Sequence, residues 1–156
     1  MNDYQRRPKD KYIQESDWAE IYELKQHWKS DLLLYKDELR FFRWLIDNYF
    51  IGMTLGENLD AVRELEMDLL ENDKTCEDLI RKVRKHIIQL GETAKDSENK
   101  PTRVFRMEHE NLEDHISRFA QKFKIIRKDV MTVTEYVLKS EHWMDLKSRR
   151  IKSNIP

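Results

Sequence analysis

Glu108-His109-Glu110, with Glu113 four residues after His109, sets an imidazole and a carboxylate on one face of any helix running through them. His86 is the other histidine that can join them, so His86, His109 and Glu113 are the candidate metal ligands of this chain. Di-iron sites in helical bundles use carboxylates from two helices and a Glu-x-x-His pair on each of two more. No Glu-x-x-His occurs here, and His27 and His142 fall off the apolar seams described below. A metal-binding bundle of the hemerythrin or ferritin kind is therefore the alternative reading, and no metal or other cofactor is the expectation. Nucleophilic catalysis finds no better footing. Cys76 falls on an apolar seam, where a buried thiol behaves as a small hydrophobe. Gly52, Gly56 and Gly91 are isolated, so no glycine-rich phosphate loop can form. The basic run Arg81-Lys82-Arg84-Lys85-His86 follows Glu77 and Asp78 and reads as a solvated face rather than a nucleic-acid contact. These residues point to a protein that is not an enzyme.

The elements that must hold these side chains are helices. Charged residues make up 38% of the 156 and hydrophobic ones 39%, with three Gly and three Pro, a balance typical of long helices and coiled coils. Four Trp among the aromatics supply core material that a disordered chain lacks. From Phe105 to Met144 apolar residues recur in alternating steps of three and four, interrupted only at His109 and Ser140. That spacing is the seam of a helix packed lengthwise on others. A first seam runs from Trp18 through Trp28, Leu32, Tyr35 and Phe42 to Tyr49, with Lys25 its one charge. A second runs from Leu55 through Val62, Cys76 and Val83 to Leu90, interrupted by Glu66 and Asp73.

Local signals place the ends. Ser16 can cap the first helix, with Asp17 and Glu20 in its positive first turn. Gly52 is positioned to end it, Thr54-Leu55-Gly56-Glu57 reads as a capping box, and Gly91 is positioned to end the second helix. Glu92 to Lys100 is a polar loop, and Pro101 can open the third helix. The predicted organisation is a polar arm over 1–15, one domain over 16–148 and a frayed tail over 149–156, with helices at about 17–51, 55–90 and 102–148. Short turns make consecutive helices antiparallel. The expected fold is all-α, an elongated up-down-up bundle of three long helices, completed to four where a terminus or a second subunit adds one. At ~1.5 Å per residue the first two helices are roughly 50–55 Å long and the third approaches 70 Å. The third is thus expected to overhang beyond about Glu135, carrying Tyr136, Val137, Trp143 and Met144.

The first helix carries a second apolar stripe. Leu33, Leu34, Phe41, Trp44 and Ile51 lie within an arc of about 100°, centred roughly 160° from the seam. Two neighbouring helices cover the seam; the stripe needs other cover. Tyr4, Tyr12 and Ile13 of the arm could supply it, as could Trp143 of the overhang. The alternative is an interface with another copy or another helical protein, because exposed Trp-Phe-Leu clusters mark interaction sites. Leu34, Phe41, Trp44, Ile51, Tyr136 and Trp143 are the candidate contacts.

Counting from the turns brings Lys25, His86 and His109 to one level, with Glu108 and Glu113 close by, and sets Glu66 near Ile46 and Arg127. A buried polar layer of this kind fixes register in helical assemblies at some cost in stability. Lys25 facing Glu108 and Glu66 facing Arg127 are the expected pairs.

The segment His27-Trp28-Lys29-Ser30-Asp31-Leu32-Leu33-Leu34-Tyr35-Lys36-Asp37-Glu38-Leu39 resembles a stretch of small uncharacterised bacterial all-helical proteins, which carry a Trp and then an apolar-Tyr-Lys-Asp-Glu-Leu core. Arg106 to Glu113 is similar in character. The resemblance implies a helical fold and no activity.

A net charge of −1 offers no field to recruit nucleic acid or an anionic membrane. Leu32-Leu33-Leu34 is the longest uninterrupted aliphatic run, far short of a membrane span. The N-terminal residues contain no apolar signal-peptide core, and one cysteine permits a reducing compartment. The expectation is a cytoplasmic, non-catalytic protein that acts through self-association or another helical partner.

Overall fold

The computed structural model describes residues 18–53, 59–93 and 103–153, with side chains at 18–48, 59–92 and 103–139. The described residues are helical throughout: α1 spans Trp18–Met53, α2 Leu59–Thr93 and α3 Arg103–Ser153. The arm, the Ser16 cap, the Thr54–Glu57 capping box, Pro101 and the side chains of Ile51, Trp143 and Met144 lie outside the described set. None of the described helices is long and apolar enough to cross a membrane.

Each seam becomes a buried edge because a 3-4 spacing keeps its residues on one side of a 3.6-residue helix. On α1, Ile21, Trp28, Leu32, Leu39 and Ile46 are sealed from solvent. On α2 the same holds for Val62, Leu69, Cys76, Ile80 and Val83, and on α3 for Ile116, Phe123, Ile126 and Val130. Burial reaches beyond a single seam. Leu24, Leu45, Leu65, Leu79 and Ala120 are also buried, since a helix touching two neighbours buries a wider arc than one row.

The contacts divide the chain into two compact units, Met1–Glu38 with Asn72–Phe123 and Leu39–Glu71 with Lys124–Pro156. In the first unit the helix directions follow from paired residues. Lys25 meets His86, Leu32 meets Cys76 and Lys36 meets Glu77, so α1 and α2 run in opposite directions. Trp18 meets Phe105, Trp28 meets His109 and Tyr35 meets Phe119, so α1 and α3 run the same way. The result is an all-α, up-down-up bundle. Its aromatic centre is Tyr35, which sits edge-on to Phe119 at 5.3 Å and 4.5 Å from the Phe123 ring; such pairs add about 0.5–1.5 kcal/mol each beyond area burial.

In the second unit Phe42, Leu45 and Ile46 of α1, Val62, Leu65 and Leu69 of α2, and Ile126, Val130, Thr134 and Val137 of α3 are buried. Val137 was expected on an overhang; its burial extends the packed part of α3 past Glu135.

The helix ends differ from the expected ones at three places. α1 continues through Gly52 to Met53, and α2 continues through Gly91 to Thr93. A β-carbon built at Gly91 meets nothing within 4 Å, so neither packing nor a positive φ requires glycine there. α3 runs to Ser153, so residues 149–153, expected to fray, are helical.

Candidate functional site

Two features carry polar or exposed chemistry. The first is the polar layer inside the first unit, and it assembles at the level that the spacing predicts. Lys25 is completely buried, a consequence of its seam position between Ile21 and Trp28. Its Nζ lies 2.7 Å from His86 Nδ1 and 4.5 Å from the centre of the Phe105 ring. His86 Nε2 lies 4.0 Å from Glu108 Oε2. On the other side of the layer Trp28 stacks on His109 with centroids 4.8 Å apart and planes 24° apart. His109 Nε2 is 3.9 Å from Glu113 Oε2, and both side chains are buried.

The expected Lys25–Glu108 pairing is corrected in one respect. His86 takes the direct contact with Lys25, while half-exposed Glu108 acts on Lys25 through its charge. Phe105 was recognised as a seam residue but not as the aromatic face under the Lys25 ammonium. A seam lysine followed by aromatic seam positions on a partner helix is the signal that could have found it.

Burial governs the titration of this layer. It lowers the Lys25 pKa to about 7, opposed by the Glu108 carboxylate. Burial likewise lowers His86 to about 4, with the nearby Lys25 and Lys85 charges adding to the effect. At neutral pH His86 is therefore the uncharged imidazole. Its Nδ1 accepts from Lys25, which leaves the ring proton on Nε2, facing Glu108.

The candidate metal set does not gather. His109 and Glu113 stand together, whereas His86 is engaged with Lys25 and Glu108. Among the described residues no three His, Cys, Asp or Glu side chains converge as a ligand group. A substrate could reach Lys25, His109 or Glu113 only by opening the bundle.

Cys76 is equally enclosed. Its thiol donates to the Leu32 carbonyl at 3.3 Å, and burial pushes its pKa up to about 12, with Asp73 adding to the rise. The thiolate that reactive cysteines need is thus disfavoured.

The second feature is apolar surface. In the second unit Phe41 and Trp44 are 50% and 54% exposed, and they stack on each other with centroids 6.0 Å apart and planes 15° apart. Phe42, Leu45 and Ile46, in the same turns of the helix, are buried. Asn48 Nδ2 donates to the Trp44 carbonyl at 2.8 Å and continues that face. Leu34, in the first unit, and Tyr136, in the second, are each more than half exposed; Leu33 is at the margin of exposure. Ile51 and Trp143 lie outside the described side chains.

Between α1 and α2 of the second unit, Arg43, Ile46, Asp47, Glu66, Leu69 and Leu70 line an open cleft of about 210 Å³. The expected proximity of Glu66 and Ile46 is seen here. Small-molecule sites enclose about 300–1,000 Å³, so this cleft accommodates a side chain rather than a metabolite. Exposed Leu70 on its rim was not anticipated from the sequence, because Leu70 stands beside the seam residue Leu69 and reads as an isolated surface leucine.

Compared with known proteins, the chain matches no family model, no curated protein and no solved structure.

Proposed function

We propose that this is a non-catalytic interaction protein that works through the outer face of its first helix. The observation that carries the reading is the Phe41–Trp44 stack, two large aromatic rings held together with about half of each left to solvent. Uncovered aromatic area of this kind is expensive in water, at about 25 cal/mol per Å². Aromatic residues are also the side chains most enriched at the anchors of protein interfaces. The polar layer supports the same reading from the other side. Lys25, His86, His109 and Glu113 are enclosed by their own helices, and their role is to fix the register of the first unit.

The test is affinity capture from the native cell, comparing wild type with the Phe41→Asp/Trp44→Asp variant at equal helicity by circular dichroism. Wild type retains a stoichiometric protein, whether another copy or a different chain, and the variant loses it. An identical set of retained proteins for both forms would contradict the reading.

A further inference from the structure

We propose that the occupant of the Phe41–Trp44 face is the same face of a second copy, with the two α1 helices antiparallel across a two-fold axis. This rests on the reading that the face is where the protein acts, and it names the partner.

The apolar part of the face suits such an axis. Phe41 and Trp44 are one helical step of three apart, with nearly parallel rings and about equal exposure. A two-fold axis passing between them sets Phe41 against Trp44 of the other copy, and Trp44 against Phe41, which is the self-complementary pairing that a two-fold interface requires.

The charges beside it choose the partner and the direction. Arg40 precedes Phe41 by one residue and Asp47 follows Trp44 by three, and both are exposed. At 100° per residue the two fall on the same flank of the Phe41–Trp44 line. Among the described residues neither Arg40 nor Asp47 has a hydrogen bond or ion pair. In an antiparallel pair with Phe41 opposite Trp44, the residues on that flank meet their own kind of position on the other helix. Arg40 of one copy then stands level with Asp47 of the other, and the same contact repeats across the axis. Two opposite charges without partners among the described residues thus complete each other twice. A parallel, in-register pair does not achieve this: there the flank of one helix faces the opposite flank of the other, and Arg40 comes level with Leu45, which is buried in its own bundle.

Sedimentation of the full chain at low ionic strength tests the arrangement, with helicity checked for each form. Wild type self-associates with increasing concentration. Arg40→Asp and Asp47→Arg each replace two attractions by two repulsions and weaken association about tenfold or more. The double variant R40D/D47R restores it to within about threefold. An equimolar mixture of R40D and D47R associates more tightly than either alone, because every Asp then meets an Arg only in the antiparallel pairing. Wild type that stays monomeric at all concentrations overturns the second-copy proposal, and the capture experiment above then decides the parent reading alone. Association that is lost in F41D/W44D but indifferent to the charge variants also overturns it, while leaving the interaction reading standing.

Discussion

Lys25 donates from Nζ to His86 Nδ1 across 2.7 Å inside the bundle, and this one contact couples the charge of both side chains to pH. A buried ammonium next to a neutral imidazole is tolerated because Phe105 offers its ring face and Glu108 its charge. It remains a group that the fold would prefer uncharged.

The pH dependence follows from the direction of each shift. For Lys25 the folded pKa is depressed to about 7 from 10.5, so above pH 7 the unfolded chain binds more protons and stability rises with pH. For His86, depressed to about 4 from 6.5, the same rise falls between pH 4 and 6.5. For Cys76, raised to about 12 from 9, the sign reverses and stability falls above pH 9. Denaturant melts should show stability increasing from pH 4 to 6.5, increasing again from 7 to 9 by roughly 2 kcal/mol, levelling between 9 and 10.5 where the Cys76 loss offsets the continuing Lys25 gain, and declining beyond. Lys25→Met should be more stable than wild type at pH 7, with that margin shrinking by the same amount by pH 9. A margin that stays constant across that interval would mean that Lys25 does not titrate there.

Gly91→Ala should stabilise the protein by about 0.5–1 kcal/mol. The residue is helical, its added methyl meets nothing within 4 Å, and alanine reduces the entropy of the unfolded chain. A thermal melt checks it, and a fall in Tm would show that Gly91 serves as a cap after all.

Core and surface apolar residues of α3 should separate sharply. Phe123→Ala removes a sealed ring that packs 4.5 Å from Tyr35 and should lose about 3–5 kcal/mol by urea titration. Ile125→Ala, two residues on and exposed, should stay within about 0.5 kcal/mol.

Cys76 should react with a thiol reagent at pH 8 only at the rate of opening. It is sealed, it donates to the Leu32 carbonyl, and its pKa is about 12. Labelling that is complete in the native state before any unfolding would contradict the packing of α1 against α2 around it.

Much of the fold was legible because burial on a long helix follows spacing. The alternating steps of three and four gave α1, α2 and α3 their buried edges, and counting residues from the turns placed Lys25, His86 and His109 at one level. Finer choices were not legible. Lys25 prefers His86 to Glu108 because the imidazole lies inside the bundle, whereas Glu108 reaches solvent; helix number alone does not express that depth. Glu113 is buried beside His109 although its position lies off the seam, since α3 is covered on two sides at that level. Leu70 acquires its meaning only from the cleft that it shares with Arg43 and Asp47. The glycine stops at Gly52 and Gly91 read as ends because glycine permits a left-handed turn, yet permission does not oblige the chain to use it.

The outer face of α1 is proposed to be covered when the protein works. Hydroxyl-radical footprinting read by mass spectrometry addresses it directly, comparing Phe41 and Trp44 in the isolated, dilute chain with the same residues in the assembled state, and using exposed Tyr22 as the internal control. Oxidation of Phe41 and Trp44 should fall several-fold on assembly while Tyr22 is unchanged. Equal oxidation of Trp44 in both states would contradict it.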